Sequence, residues 1–284
     1  MKTVLLTGAT GFVGSRLLPR LVAAGYSVVA IARHEQPAVP GVQWVIGDLH
    51  TCGKLTIPDG VSVLVDLAAS IPSPGVPDDE LQFYRNTQGR IELAARLHQL
   101  AHIVYVSTID VYGPPQSAAF REEDTAKPLT FYAAGKLAVE HMYAVFSGRS
   151  AVCLTTLRFS QVYGRGDTGS KIIPLFTRAI REDNEIVLTN NGAALRKYLH
   201  LEDACSSILR AIHAEKAGTY NIAGPTISSI KETLHCIESA LGKGARIRAI
   251  QGPAADLIMD TSRAARELGF NAVVTLADGI AREI

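Results

Sequence analysis

With 284 residues, 47% of them hydrophobic and 19% charged, the chain is long enough for one large α/β domain, alone or with a smaller lobe. Its 28 basic and 27 acidic residues nearly cancel, to a net charge of +1, so no global field recruits nucleic acid or an anionic membrane surface, and a small molecule is the expected partner. No apolar run approaches the ~18 residues of a membrane span or forms a signal segment, and Cys52, Cys153, Cys205 and Cys236 are scattered without a C-x-x-C pair, so a cytoplasmic protein is expected, with no metal site or disulfide framework.

The first element, "TVLLTG", reads as a strand that breaks into Gly8, Gly11 and Gly14 before the helical pattern "SRLLPRLVAAG", which Gly25 closes. Strand, glycine turn and helix in that order let the chain reverse tightly and bring backbone N–H groups close to a pyrophosphate; a plain βα turn accounts for one of these glycines but not for three. The second strand, "YSVVAIAR", ends in Ala32 and Arg33, where an enzyme selecting NAD commonly offers a carboxylate to the adenosine ribose. Arg33, helped by Arg16, fits a 2′-phosphate instead, so NADP is the preferred cofactor and NAD the alternative; the plainer reading of Arg33 is a solvated charge at a strand end. After the third strand, "VQWVIGD", Asp48 either accepts from the adenine amino group or caps the next turn.

"VSVLVDLAA", "AHIVYVST" and "AVCLTTLRFS" continue the rhythm, with "QGRIELAARLHQL" as a helical crossover, so a doubly wound parallel sheet flanked by helices is predicted. In "FYAAGK", Tyr132 and Lys136 stand four residues apart, on one face of a helix. A free phenol titrates near ~10, and an ammonium group with an oxidised nicotinamide beside it draws that value toward neutrality, so that the phenol exchanges a proton with a substrate hydroxyl. From about Asp167 the rhythm loosens into a helix and an irregular stretch, and "LHLEDACSSILRAIHAEKAGTYNIAG" then resumes helix and strand. The expected division is therefore a dinucleotide-binding domain of 1–166 joined by 199–224, with 167–198 and 225–284 as a small mixed α/β substrate lobe.

The series "TGATGFVG", "GDL", "DLAAS", "NTQGRIELA", "YVSTIDVYG", "YAAGK", "LRFSQVYGRG", "RKYLHLEDAC", "YNIAG" and "DTSRAARELGF" resembles, in this order and over nearly the whole chain, the extended short-chain dehydrogenase/reductase family, the nucleotide-sugar epimerases and dehydratases. The resemblance implies a Rossmann-type fold, NAD(P)-dependent hydride chemistry on a nucleotide-linked sugar, and homodimers formed by the helices that carry Asn86 and Tyr132. It implies that Tyr132 is the catalytic acid/base, that Lys136 binds the nicotinamide ribose, that Thr108 hydrogen-bonds the reacting sugar oxygen, and that Asn86 supports the active-site helices. Cofactor contacts are implied for Gly8, Thr10, Gly11, Phe12, Val13 and Gly14, for Arg33, Asp48 and Leu49, and for Leu67, Ala68 and Ala69 after the fourth strand. Substrate contacts are implied for Ser70, Thr108, Gln161 and Arg196.

Departures from the family pattern narrow the chemistry. Dehydratases carry Thr-Asp-Glu where this chain has Thr108, Ile109 and Asp110, which argues against elimination of water and leaves Asp110 as an acid/base or a turn cap. Gln161 replaces an asparagine that commonly contacts the phosphates, Lys197 replaces an aspartate, and Arg196 keeps a phosphate-binding arginine or is a surface charge. The second phosphate arginine has no clear counterpart unless Arg246 or Arg248 supplies it. The leading expectation is an epimerase or a ketoreductase, with an NADP-favouring arginine tilting toward reduction. The alternatives are a reductase or dehydrogenase of a smaller, non-nucleotide carbonyl or hydroxy compound, and a non-catalytic dinucleotide-sensing protein.

Overall fold

The computed structural model describes residues 2–73, 75–115, 118–167 and 171–283; residues 168–170, where the second lobe is expected to open, lie outside these, as do residues 1 and 284. The first half of the chain alternates β1 (Thr3–Thr7), α1 (Gly14–Ala23), β2 (Ser27–Ala32), β3 (Val42–Ile46), β4 (Val61–Asp66), α2 (Glu80–Thr87), α3 (Arg90–Ala95), β5 (His102–Thr108), α4 (Phe131–Ser150) and β6 (Cys153–Phe159). It continues with β7 (Val162–Tyr163), α5 (Ile172–Arg181), β8 (Glu185–Thr189), β9 (Leu195–Arg196), β10 (Leu199–His200), α6 (Leu201–Ala214) and β11 (Gly218–Ile222). The last elements are β12 (Ser228–Ser229), α7 (Ile230–Leu241), β13 (Arg246–Ile250), α8 (Ser262–Leu268) and α9 (Leu276–Glu283).

Seven parallel strands form one sheet in the order β11-β6-β5-β4-β1-β2-β3. The central strands are apolar almost without alternation because both faces are covered: α1 and α6 pack Leu17, Leu21 and Ile208 on one side, α3 and α4 pack Leu93, Val139 and Tyr143 on the other. The expected Rossmann-type doubly wound architecture is thus the one observed, and β11 returns to its edge beside β6. Gly25, at φ +85°, closes α1 by donating its N–H to Val22.

The crossover expected as one helix over 88–100 is shorter. Gly89 adopts φ +75° and backs onto the Leu49 carbonyl, leaving no room for a Cβ, so α2 and α3 are separated and α3 ends at Ala95. Arg90, the first residue beyond the break, reaches inward to Asp66. Outside the sheet, α5, α7 and α9 bury Ile173, Phe176, Leu234, Ile237 and Ile280 together, with β8 and β13 paired in parallel beside them. The strand order reverses between β1 and β4, the position at which open α/β sheets receive ligands beyond their strand ends.

Candidate active site

At that reversal, the buried Thr7 hydroxyl donates to Asp66 at 2.6 Å and accepts from the N–H groups of Leu67 and Ala68, stitching the end of β1 to the end of β4. Gly8 runs so close to this seam that a Cβ there would lie 2.8 Å from the Ala68 nitrogen, and a Cβ at Gly14 would strike the Gly8 carbonyl. Only glycine lets the loop lie flat against the strand ends, and the cavity above it, about 770 Å³, is lined by Gly8, Thr10, Gly11, Arg33, Asp48, Leu49, Ala68, Ala69 and Ser70. Among the described residues no side chain caps α1, so its N-terminus favours an anion. This cradle fits the pyrophosphate of a dinucleotide. Asp48 Oδ1 accepts from the His50 N–H at 2.9 Å, so the capping role is realised while the residue also lines the cavity. Arg33 is exposed at the rim.

A middle cavity of about 200 Å³ shares Gly8 and Gly11 with the cradle and adds Phe12, Val13, Gly14, Leu67, Thr108, Tyr132 and Lys136. Thr108 ends β5 and Tyr132 lies in the first turn of α4. That turn is fixed twice: Thr130 accepts from the Ala133 N–H, and the Asp78 carboxylate accepts from the N–H groups of Phe131 and Tyr132 at 3.1 and 2.8 Å. Lys136 is 2% exposed, with its Nζ 4.4 Å from the centre of the Tyr105 ring. Burial, reinforced by Arg90, lowers its pKa to about 7, against the opposing charges of Asp66 and Glu140.

Burial and then the Asp110 carboxylate push Tyr132 above its ordinary value, and hydrogen bonding with Thr108 only partly offsets them. The chain's own groups thus favour the protonated phenol. Thr108 donates to Asp110 Oδ2 at 3.1 Å and accepts from the Asp110 N–H at 3.2 Å, and burial raises the Asp110 carboxyl in turn. Both the turn-capping arrangement and a position beside the phenol are thus realised at Asp110.

A third cavity, about 470 Å³, extends beyond Thr108 and Tyr132 and is lined by Ile71, Asp110, Leu129, Gln161, Lys171 and Leu257 among others. Of the residues implied as substrate contacts, Thr108 and Gln161 line it. The Ser70 hydroxyl is instead bonded to Gln82, and the Ser70 backbone is held by Asn86, whose Oδ1 accepts its N–H and whose Nδ2 donates to its carbonyl, each at 2.9 Å. Arg196 donates to the carbonyls of Leu195 and Ala255. Arg248 pairs with Glu185, and Arg246 donates to the Asp183 carbonyl, both in the β8–β13 region.

Sequence reasoning missed two buried ion pairs beneath the site. Asp66 accepts from Thr7, Arg90 and Tyr143, and Arg90 also donates to the carbonyls of Ala68 and Asn86. Glu140 accepts from Ser107 and Arg158. Glu140 follows Lys136 by four residues on the same helix face, a legible signal, and Asp66 is the one charge ending an apolar strand; Asp78 and Lys171 carry no such mark.

These are the parts of a dinucleotide-dependent oxidoreductase, and sequence comparison narrows the class. The profile of the NAD dependent epimerase/dehydratase family matches residues 4–223, and the chain belongs to that family. It is 26% identical to a dTDP-glucose 4,6-dehydratase of Streptomyces griseus, over 99% of this chain and 92% of that protein. Among solved structures, a UDP-N-acetylglucosamine 4-epimerase from Bacillus cereus is 25% identical with a TM-score of 0.84, over 99% of this chain and 95% of that one. MoeE5 in complex with UDP-glucuronic acid and NAD is likewise 25% identical, with a TM-score of 0.85, over 99% and 97%.

Among the described residues no helix is long and apolar enough to cross a membrane, and no three His, Cys, Asp or Glu residues are grouped to hold a metal.

Proposed function

We propose that this chain moves a hydride between NAD(P) and a sugar carbon of a nucleotide-linked sugar, as a ketoreductase or an epimerase. The observation that carries the reading is that Thr108, Tyr132 and Lys136 line a cavity that shares walls with both the glycine cradle and the larger cavity beyond. The bound dinucleotide supplies the hydride donor or acceptor. Tyr132 holds the proton at its hydroxyl and gives it to, or takes it from, the substrate oxygen. Thr108 hydrogen-bonds that oxygen and keeps the phenol oriented, while Lys136, anchored over Tyr105, reaches the cofactor's ribose.

Arg33 at the rim of the cradle supports NADP over NAD, by pairing with a 2′-phosphate. The dinucleotide domain is assigned to 1–166 with 199–224, and the substrate lobe to 167–198 with 225–284. The exposed Leu81, Tyr84, Phe131 and Val145 on α2 and α4 support a homodimer through these helices, and four free cysteines suit the reducing cytoplasm.

Incubation with NADPH and 4-keto UDP- or dTDP-sugars tests the reading: joint loss of reduced nicotinamide absorbance and of the keto sugar establishes reduction. Interconversion of UDP-hexoses with catalytic NAD establishes epimerisation. None of Arg196, Arg246 and Arg248 lines the substrate-side cavity, which favours, as second reading, a smaller carbonyl substrate; NADPH oxidation by such compounds alone would establish it. Dinucleotide binding without any turnover would leave a sensing protein.

A further inference from the structure

A nucleotide sugar brings two phosphates, and some bring a sugar carboxylate, yet none of the arginines that sequence offers for these anions lines the substrate-side cavity. Arg196 gives its Nη1 to two backbone carbonyls while its Nε stays buried without a partner among the described residues, and Arg246 and Arg248 are held by Asp183 and Glu185. The cation that lines the substrate-side cavity is Lys171, the residue at the N-cap of α5, which also borders the middle cavity beside Tyr132. Its Nζ donates to the Val162 carbonyl at 3.5 Å, and it forms no ion pair among the described residues. Asp110 shares the cavity but bonds to Thr108, and Asp78 spends both oxygens on the start of α4.

Two further polar groups on this wall lack partners among the described residues. Ser160 is 6% exposed with its Oγ unpaired, and the Oε1 of Gln161 is buried and unpaired. Groups in this state cost stability unless a ligand completes them. The rest of the wall is mainly apolar, from Ile71, Ile109, Leu129 and Leu257, so the polar partners are few and specific.

We propose that Lys171, with Ser160 beside it, holds an anionic oxygen of the substrate, either a phosphate of the nucleotide or a carboxylate on the sugar. The proposal rests on the nucleotide-sugar reading. A lysine serves either anion because its ammonium is a point charge that does not demand the planar geometry of a guanidinium.

Calorimetric titration of the protein loaded with NAD, and separately with NADP, against UDP, dTDP, UDP-glucose and UDP-glucuronic acid tests it, in wild type, Lys171→Met and Lys171→Arg. If the anion is phosphate, Lys171→Met weakens the nucleoside diphosphate and UDP-glucose alike by about tenfold or more. If it is carboxylate, only UDP-glucuronic acid weakens. Either result supports the proposal, and Lys171→Arg should recover most of the affinity. Unchanged circular dichroism and Tm verify that the variant is folded, and Lys171→Gln is read in the same way should Lys171→Met fail to fold. Lys171→Met within twofold of wild type on every ligand that wild type binds overturns the role of Lys171 and leaves the nucleotide-sugar reading intact. A wild type that binds none of the four overturns both.

Discussion

Asp66→Asn removes the charge at which the ends of β1 and β4, Arg90 and the field of Lys136 meet. Asp66 is 1% exposed and Arg90 2%, so the substitution leaves a guanidinium buried without its partner. Breaking such a pair from one side costs ~3–5 kcal/mol. Burial alone would raise the Asp66 carboxyl; Arg90, the Thr7 hydroxyl and Lys136 together hold it below its ordinary value. For a chain of this length, with an unfolding entropy of ~2 cal/mol/K per residue, the loss corresponds to a fall in Tm of ~5–8 °C. Function changes in a linked way. Asp66 is one of the charges that support the Lys136 ammonium, and Arg90 opposes it, so Asp66→Asn lowers the Lys136 pKa further from about 7. If catalysis needs that ammonium, the basic limb of the kcat/KM profile moves to lower pH. Thermal melts across pH and the pH–rate profile measure both effects. A Tm within ~1 °C of wild type with an unmoved basic limb would refute the reasoning; partial recovery of stability in Asp66→Asn/Arg90→Met would support it.

Tyr132→Phe should lower turnover by ~10²–10⁴ while NAD(P) affinity stays within about twofold, measured by steady-state kinetics and titration; near-wild-type turnover would remove the phenol from the chemistry. Gly14→Ala places a methyl against the Gly8 carbonyl and should weaken dinucleotide binding by about tenfold, read by fluorescence titration, with a loss of ~1–3 kcal/mol in stability. His102 donates through Nε2 to Thr155, whose hydroxyl is committed to the Lys216 carbonyl, and its buried Nδ1 has no partner among the described residues. Burial, then the charge of Lys2, lowers its pKa from 6.5 to about 4. The unfolded chain therefore takes up this proton first as pH falls, and stability present above pH 6.5 is lost progressively down to about 4, by ~3 kcal/mol. In His102→Gln the denaturation free energy should fall less steeply over that interval, and an unchanged slope would contradict the assignment.

What the sequence by itself determined about this protein is whatever depends on neighbours in the chain. Apolar runs separated by helical spacing dictate parallel strands with crossovers, three glycines after a strand dictate a close backbone turn, and four-residue spacing puts Tyr132 and Lys136 on one helix face. What only the tertiary structure decided is which charges meet. Arg196 turns to the carbonyls of Leu195 and Ala255, Asp66 meets Tyr143 across the three intervening elements α2, α3 and β5, Asp78 arrives from a loop to cap α4, and Lys171 comes to the cavity from the N-cap of α5. Spacing in the chain carries no information about such meetings, because a charge is placed by the packing of elements far apart in sequence and its pKa by the burial that packing creates. The same separation explains the phenol: its helix face is local, but the burial and the Asp110 carboxylate that favour its protonated form exist only once β5 and α4 are docked.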